Sequence, residues 1–477
     1  MPAGPSVLEE QRDDRELAKM STFAATILPR LPRPVRFAAS AINSPMRARL
    51  ARGAFWSVLD TAFTRGSALI ISIVVARRVG RELFGQFGVV QGTVGVFALF
   101  ASLGMGVTAT KYVAELRKSE PVRIGRILGL STLLAGVSSF VVCLLLLATA
   151  PWLARTTLAS AEVGSLLRVG CGLLFFGVVG GAIRGALYGF EAFQSVAIVD
   201  LVAAILGCAT VVAGVLTAGV IGAVAGLVVS VALQFAGYCF YLRRELRTHG
   251  LAIIYRGCFE EWPVLAKFSV PALLAAALAG PVNWVCSAIL VNQPAGYAQM
   301  GLFNAANQWR GAIMLLPLTL SAPLLPVLAS LFGKERARYL RVLQAGTVVN
   351  TALAVIAAVI TVVFSRRIMA VYGSGFAGAT PVLICLVLSA VLAASVWSVG
   401  QAITSSGRMW AGFAINLIWA VVLIGCLWLF RRQGAYGYAL ANLIAYSVHL
   451  LTSVYVYWRV HTRFVNPSCD PSQALVG

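Results

Sequence analysis

Charge is scarce in this chain of 477 residues, and negative charge is scarcest: there are 17 Asp and Glu against 38 Lys and Arg, together 12% of the sequence. A soluble domain carries about a quarter of its residues as charges. The hydrophobic fraction of 59% and the mean hydropathy of +0.85 exclude that class. Histidine occurs only at His249, His449 and His461, and His449, inside an apolar run, reads as a packed polar side chain rather than a proton relay. Seven of the nine cysteines (Cys143, Cys171, Cys208, Cys239, Cys286, Cys385, Cys426) fall within apolar runs, and Cys258 and Cys469 between or beyond them. None pairs at disulfide or zinc spacing, so no metal and no resident cofactor is expected. A Gly-x-x-x-x-Gly-Lys-Ser/Thr segment is missing, which removes a P-loop ATP-driven machine.

What the chain has instead is apolar length. Twelve runs lie near 54–77, 86–109, 127–150, 166–188, 193–216 and 219–242, then 266–291, 298–328, 343–365, 378–403, 409–430 and 435–458. A hydrocarbon core of about 30 Å takes roughly 20 residues of helix. These runs exceed membrane strands of about 9 to 11 residues and lack period-two alternation, so backbone satisfaction in lipid leaves helices. The predicted fold is an all-α integral membrane bundle of about twelve transmembrane helices.

Loop charge sets the expected orientation. With the N-terminus inside, the inner loops and C-tail hold 17 Lys and Arg and the outer loops 8, so both termini are expected on the cytoplasmic face. The first outer turn, with Arg77, Arg78 and Arg81, runs against this bias, although arginines at a helix end can snorkel. The formal charge of +21 sits mostly in short inner loops and the N-terminal tail, as contact with an anionic leaflet requires. No basic globular domain remains for nucleic acid. Residues 1–52 mix acidic and basic residues with Pro29, Pro32 and Pro34, which predicts a disordered basic cytoplasmic tail without the apolar core of a signal peptide.

The two sets of six runs look like a repeat. Gly219-Val-Ile-Gly222 opens the sixth run and Gly434-Ala-Tyr-Gly437 the twelfth, at an offset near 215 residues. An even number of crossings per repeat preserves orientation, which predicts two parallel six-helix lobes, 53–245 and 266–460, with a substrate path between them. The segment 246–265 is then a cytoplasmic linker and 461–477 a tail.

Inside the runs lie Asp60, Arg65, Arg168, Arg184, Asp200 and Arg310. Each Arg or Asp at the bilayer centre costs roughly 2.5 to 3.5 kcal/mol, so each must face protein or water. Arg184 and Asp200 flank one inner turn at similar depth, which predicts a structural ion pair. Arg168 is near a helix end. Arg65 and Arg310 fall near mid-membrane, one in each set of six, without a local partner: Asp60 is about 140° around the helix from Arg65. They can bind an anion in a central cavity, guanidinium forks matching phosphate oxygens, or else pair with Asp60 across helices or with helix-end carbonyls. Asn304, Asn307 and Gln308 form a polar stripe beside Arg310 with room for a sugar or headgroup. Asp60 is the candidate proton or cation site.

Several segments carry a family resemblance: Gly53-Ala-Phe-Trp56, Val79-Gly-Arg-Glu-Leu-Phe-Gly-Gln-Phe87, Ser102-Leu-Gly-Met-Gly106, Lys111-Tyr-Val-Ala114, Phe268-Ser-Val-Pro271, Ala295-Gly-Tyr297, Asn304 to Pro317 and Ala186-Leu-Tyr-Gly-Phe190. Over about residues 46–460 the chain resembles polysaccharide-type flippases of the multidrug/oligosaccharidyl-lipid/polysaccharide superfamily. The resemblance implies a MATE-like fold in the bacterial cytoplasmic membrane. It implies no enzyme activity but the flipping of undecaprenyl-pyrophosphate-linked oligosaccharide for O-antigen, capsule or exopolysaccharide; a proton or sodium gradient is the candidate energy source, if any gradient drives the cycle. Polysaccharide polymerase and chain-length machinery are the implied partners, beside the lipid-linked glycan and membrane lipids. Helices one, two, seven and eight line a cationic cleft in that family, and Arg65 and Arg310 fall on the first and eighth. Asn283 and Cys286 stand where related chains often carry charge. A drug/cation antiporter of the same superfamily needs cavity acids, and only Asp60 and Asp200 are available. A peptidoglycan-precursor flippase usually has two further helices. A membrane glycan polymerase needs a large outer loop, and the outer loops here are short.

Overall fold

The computed structural model describes residues 45–117, 119–264, 269, 278–321, 324–332, 334–406 and 409–463. Most of the expected tails 1–52 and 461–477, Pro271, and the first part of the run expected over 266–291 lie outside the described residues. The chain divides into two units, Met1–Val58 and Leu59–Gly477. In the first, the described residues are helical, and the rings of Phe55 and Trp56 meet edge to face at 5.7 Å. The second holds the helical bundle.

Among the described residues there are helices and no strands. The first set comprises α1 (Pro45–Ser102), α2 (Met105–Leu116), α3 (Pro121–Trp152), α4 (Glu162–Gly189) and α5 (Phe193–Thr248). The second comprises α6 (Ala279–Val291), α7 (Gly296–Ile313), α8 (Leu315–Ser321), α9 (Leu324–Leu331), α10 (Arg336–Val363), α11 (Thr380–Ser405), α12 (Met409–Phe430) and α13 (Gly434–Arg463). Seven stretches are long and apolar enough to cross a membrane, and three of these run for 48, 56 and 50 residues, far beyond the roughly 20 of one crossing. Each of the three is broken near its middle, at Gly80, at Ala218 and Gly219, and at the turn Arg431–Gln433. The breaks separate the runs read from sequence as neighbouring spans. The run expected over 298–328 behaves differently: it is divided at Met314. Pro317 lacks the N–H that an uninterrupted helix would use there.

Backbone conformation repeats along the chain. Gly219 has φ 60° and ψ −136°, and Gly434, about 215 residues later, has φ 62° and ψ −134°. Gly80 and Ala295 at the same offset both have positive φ, and so do Ala159 and Gly373 at nearly that offset. Such left-handed residues stop a helix and re-aim the chain. Three pairs of such residues thus lie at nearly one spacing.

The faces turned away from the interior are apolar. On α10, Ile356, Val359, Ile360 and Val363 are all more than half exposed, and on α3 so are Phe140, Val141, Leu144 and Leu145. A continuous exposed aliphatic surface of this kind needs lipid as its solvent.

The two sets of helices touch where α1, after its break at Gly80, crosses α7. A Cβ on Gly85 would lie 1.9 Å from the Tyr297 carbonyl oxygen, and one on Gly301 1.9 Å from that of Arg81. Small residues at helix crossings let backbones approach in this way. Gly301→Val is therefore expected to part α1 from α7. In a cysteine-free background carrying Asn304→Cys, whose side chain rests against Gly88, the second substitution should raise reactivity toward a water-borne maleimide; unchanged reactivity would contradict the contact.

The segment after α5 packs on the start of α3. The Ile254 amide donates to the Gly125 carbonyl at 2.9 Å, Arg123 meets Glu261 at 3.1 Å, and Arg126 pairs with Glu260. Cys258 is buried there. The expected linker 246–265 thus begins inside α5 and continues as a segment fastened to the first set of helices.

Candidate functional site

Three charged residues from three helices meet inside the first set. Arg184 of α4 places Nη2 at 2.7 Å from Oδ2 of Asp60 on α1 and at 3.1 Å from Oδ2 of Asp200 on α5. The two carboxylates are 4% and 3% exposed, whereas the Arg184 side chain reaches the surface along part of its length. Tyr188 donates to Asp60 at 3.3 Å, Gln234 donates to Asp200 at 2.6 Å, and Tyr238 donates to Asp200 as well. The sequence sets Asp60 only against Arg65 and Arg310; the structure gives it to Arg184. With every group ionised, the cluster carries one more negative than positive charge.

Asp200 and Gln234 of this cluster line the first of two cavities, and the second lies apart from it. The first, about 620 Å³, runs from Asp200, Gln234 and Ser230 on α5 to Asn304, Asn307, Gln308 and Arg310 on α7. The second, about 790 Å³, lies between α7, α11, α12 and α13 and reaches Arg65 on α1. Asn307, Gln308 and Arg310 line both. The residues singled out from sequence as a polar stripe therefore all line the first cavity, and Asn307 and Gln308 line the second as well, because the i, i+3, i+4 spacing of one helix face holds in α7.

The two arginines read from sequence as mid-membrane both line the second cavity. A Cβ on Gly311, the residue after Arg310, would lie 3.7 Å from Nη1 of Arg65. Arg310 donates through Nε to the Ser389 hydroxyl at 3.2 Å and rests over the Tyr446 ring, 4.8 Å from its centre. Among the described residues neither arginine forms an ion pair, and Asp200, the one carboxylate lining either cavity, is held by Arg184. Asn304 has its Nδ2 buried without a partner, against Gly88. Arg168 is exposed.

Sequence reasoning missed several cavity residues. Tyr446 carries the Arg310 guanidinium, yet nothing local connects positions so far apart in the chain. Trp397 and Trp419 read as lipid-facing or core aromatics, and no periodicity separates those roles from a cavity wall. His449 lies among the cavity-lining residues, its ring 6.1 Å from that of Tyr446 and its Nδ1 without a partner. Helix α6 offers Asn283 to the first cavity, where it bonds its own Ala279 carbonyl at 2.8 Å, while Trp284 donates to Thr93 of α1 at 2.9 Å.

A polytopic helical bundle with polar cavities in its interior is an architecture that membrane transporters use. The chain belongs to the polysaccharide biosynthesis protein family, whose family model matches residues 50–332, more than half of its length. Among curated relatives it is 25% identical over 397 residues to the EPS I polysaccharide export inner membrane protein EpsE of Ralstonia nicotianae, a match covering 81% of this chain and 89% of that one. The EpsE protein of Ralstonia solanacearum is 23% identical over the same shares. Its fold is similar to that of an inward-facing multidrug resistance MATE transporter of the MOP superfamily, with a TM-score of 0.71 at 15% identity over 84% of this chain and 96% of the other. It is also similar to the lipid II flippase MurJ, with a TM-score of 0.67 at 15% identity over 84% and 87%. The bundle is thus MATE-like.

Proposed function

We propose that this protein is a flippase that moves undecaprenyl-pyrophosphate-linked oligosaccharide from the inner to the outer leaflet of the bacterial cytoplasmic membrane, for surface polysaccharide or exopolysaccharide. The observation that carries this reading is that Arg65 and Arg310, neither in an ion pair among the described residues, line one cavity on which no described carboxylate stands. A site so charged attracts an anion and repels the cations that an antiporter would carry, and Arg forks match pyrophosphate oxygens. Asn304, Asn307 and Gln308 then hydrogen-bond sugar hydroxyls while the polyprenyl tail stays in the bilayer. Family membership and the export role named for the Ralstonia relatives support the same reading.

The protein acts as a transporter rather than an enzyme, with both termini cytoplasmic, and hands its glycan to the polymerase and chain-length machinery. Driving force enters at Asp60. The excess negative charge of the Asp60, Arg184 and Asp200 cluster is cancelled by one proton or one sodium ion, and buried charge in a membrane favours that neutral state. Export unchanged by a protonophore and by removal of sodium would contradict this coupling.

The test of function is complementation of a bacterial strain lacking its oligosaccharide flippase, scoring exported polysaccharide and the leaflet of the lipid-linked precursor together. Restored export with loss of the inner-leaflet precursor supports the reading. Membrane-inserted protein that leaves precursors from several glycan pathways inside, yet confers drug resistance, would overturn it.

A further inference from the structure

The second cavity has features that anion binding does not use. Its volume of about 790 Å³ is within the range of roughly 300 to 1,000 Å³ typical of small-molecule sites. Among the described residues no carboxylate lines it. Three aromatic side chains do: Trp397, and Trp419 and Tyr446, whose rings meet at 5.7 Å. Trp419 is only 5% exposed, yet its indole Nε1 has no hydrogen-bond partner, and the same holds for Nδ1 of His449. Buried donors are almost always satisfied, so the unpartnered indole N–H of a residue that lines a cavity marks a place for an acceptor, which a ligand reaches once the wall yields around it. Gln401 and Asn416 add amide groups to the same wall.

We propose that this cavity is a sugar subsite, taking the sugar ring next to the pyrophosphate. The proposal rests on the flippase reading and deepens it. Aromatic faces carry partial negative charge and accept the C–H edge of a pyranose, while unpartnered N–H groups bond its hydroxyls. An acyl chain would fill the volume but leave the Trp419 N–H unsatisfied. Arg310 fixes which sugar enters. It lines both cavities and lies on Tyr446, so a pyrophosphate held by Arg310 and Arg65 places its attached ring against the aromatic wall. Outer sugars of the repeat unit then extend toward the first cavity.

The experiment uses the full chain in lipid nanodiscs and two probes, geranyl pyrophosphate and the same lipid carrying N-acetylglucosamine on its terminal phosphate. The parent protein should bind the sugar-bearing probe roughly tenfold more tightly, the gain expected of one stacking contact and one hydrogen bond together. Trp419→Phe, which keeps a ring and removes the N–H, and Trp397→Ala should each bring the two affinities within about twofold and leave geranyl pyrophosphate binding unchanged. An equal weakening of both probes would make the cavity an acyl-chain pocket or a structural element, and no sugar-dependent gain in the parent would remove the subsite; either result overturns the proposal. Failure of the flippase reading is separate: geranyl pyrophosphate would then not bind the parent, or would bind Arg310→Ala equally well.

Discussion

Arg310→Ala is expected to abolish polysaccharide export while the protein remains in the membrane at parental levels. The guanidinium is anchored by the Ser389 hydroxyl and the Tyr446 face, neither of which cancels its charge. Its loss therefore leaves no buried carboxylate unpaired, and it lightens the insertion cost of the helix. What disappears is the anion site. Each hydrogen bond to a charged group contributes about 1.5 to 3 kcal/mol, so removing the two-pronged Arg310 fork lowers affinity by at least about a hundredfold. Arg310→Lys should fall between, since an ammonium supplies charge without the planar fork. Arg65→Ala should behave like Arg310→Ala because the two share one region of the cavity. Export in the flippase-deficient strain, normalised to membrane protein by immunoblot, is the measurement. Full export by both single variants and by the double variant would contradict the anion role.

Arg184→Ala has the opposite signature: it should remove the folded protein itself. Asp60 and Asp200 come from different helices and are almost wholly buried, and Arg184 is the cation that both contact. Removing one partner of a buried pair costs about 3 to 5 kcal/mol, because the remaining charge is stranded. Here two carboxylates are stranded together, although the partial exposure of Arg184 lets water soften the effect. Adding Asp60→Asn and Asp200→Asn to Arg184→Ala should restore much of the folded yield, since three neutral side chains leave no charge to bury. Yield and thermal stability by size-exclusion chromatography in detergent measure this. A stable Arg184→Ala protein would show that the cluster is not a structural anchor.

The contrast between these variants follows the line between what the sequence discloses and what it hides. Hydrophobic length places most of the described helices, and glycine at 219 and 434 marks two of the breaks between them, because a left-handed residue between two apolar runs favours glycine. The polar face of α7 is also legible, since Asn304, Asn307, Gln308 and Arg310 are neighbours by helical spacing. Contacts between distant helices are not. Nothing within one helix tells that Asp60 turns toward Arg184, or that Tyr446 lies beneath Arg310. Aromatic residues in apolar runs are equally at home against lipid, in a core or on a cavity wall, so Trp397 and Trp419 gain meaning only from what surrounds them. The run over 298–328 reads as one helix because its hydrophobicity is continuous, and the structure breaks it at Met314, ahead of Pro317.

A protein that carries a pyrophosphate-linked glycan lipid across the bilayer through the cavity at Arg65 and Arg310 should do so in purified form. The decisive test is reconstitution of the chain into liposomes holding a fluorescent undecaprenyl-pyrophosphate-linked sugar, with the outer-leaflet fraction read by a membrane-impermeant quencher. Time-dependent exchange between leaflets is expected with the parent protein, and a rate at the protein-free level with Arg310→Ala. Equal rates for the two proteins, or no exchange by the parent with lipid-linked glycans drawn from several pathways, would contradict this mechanism.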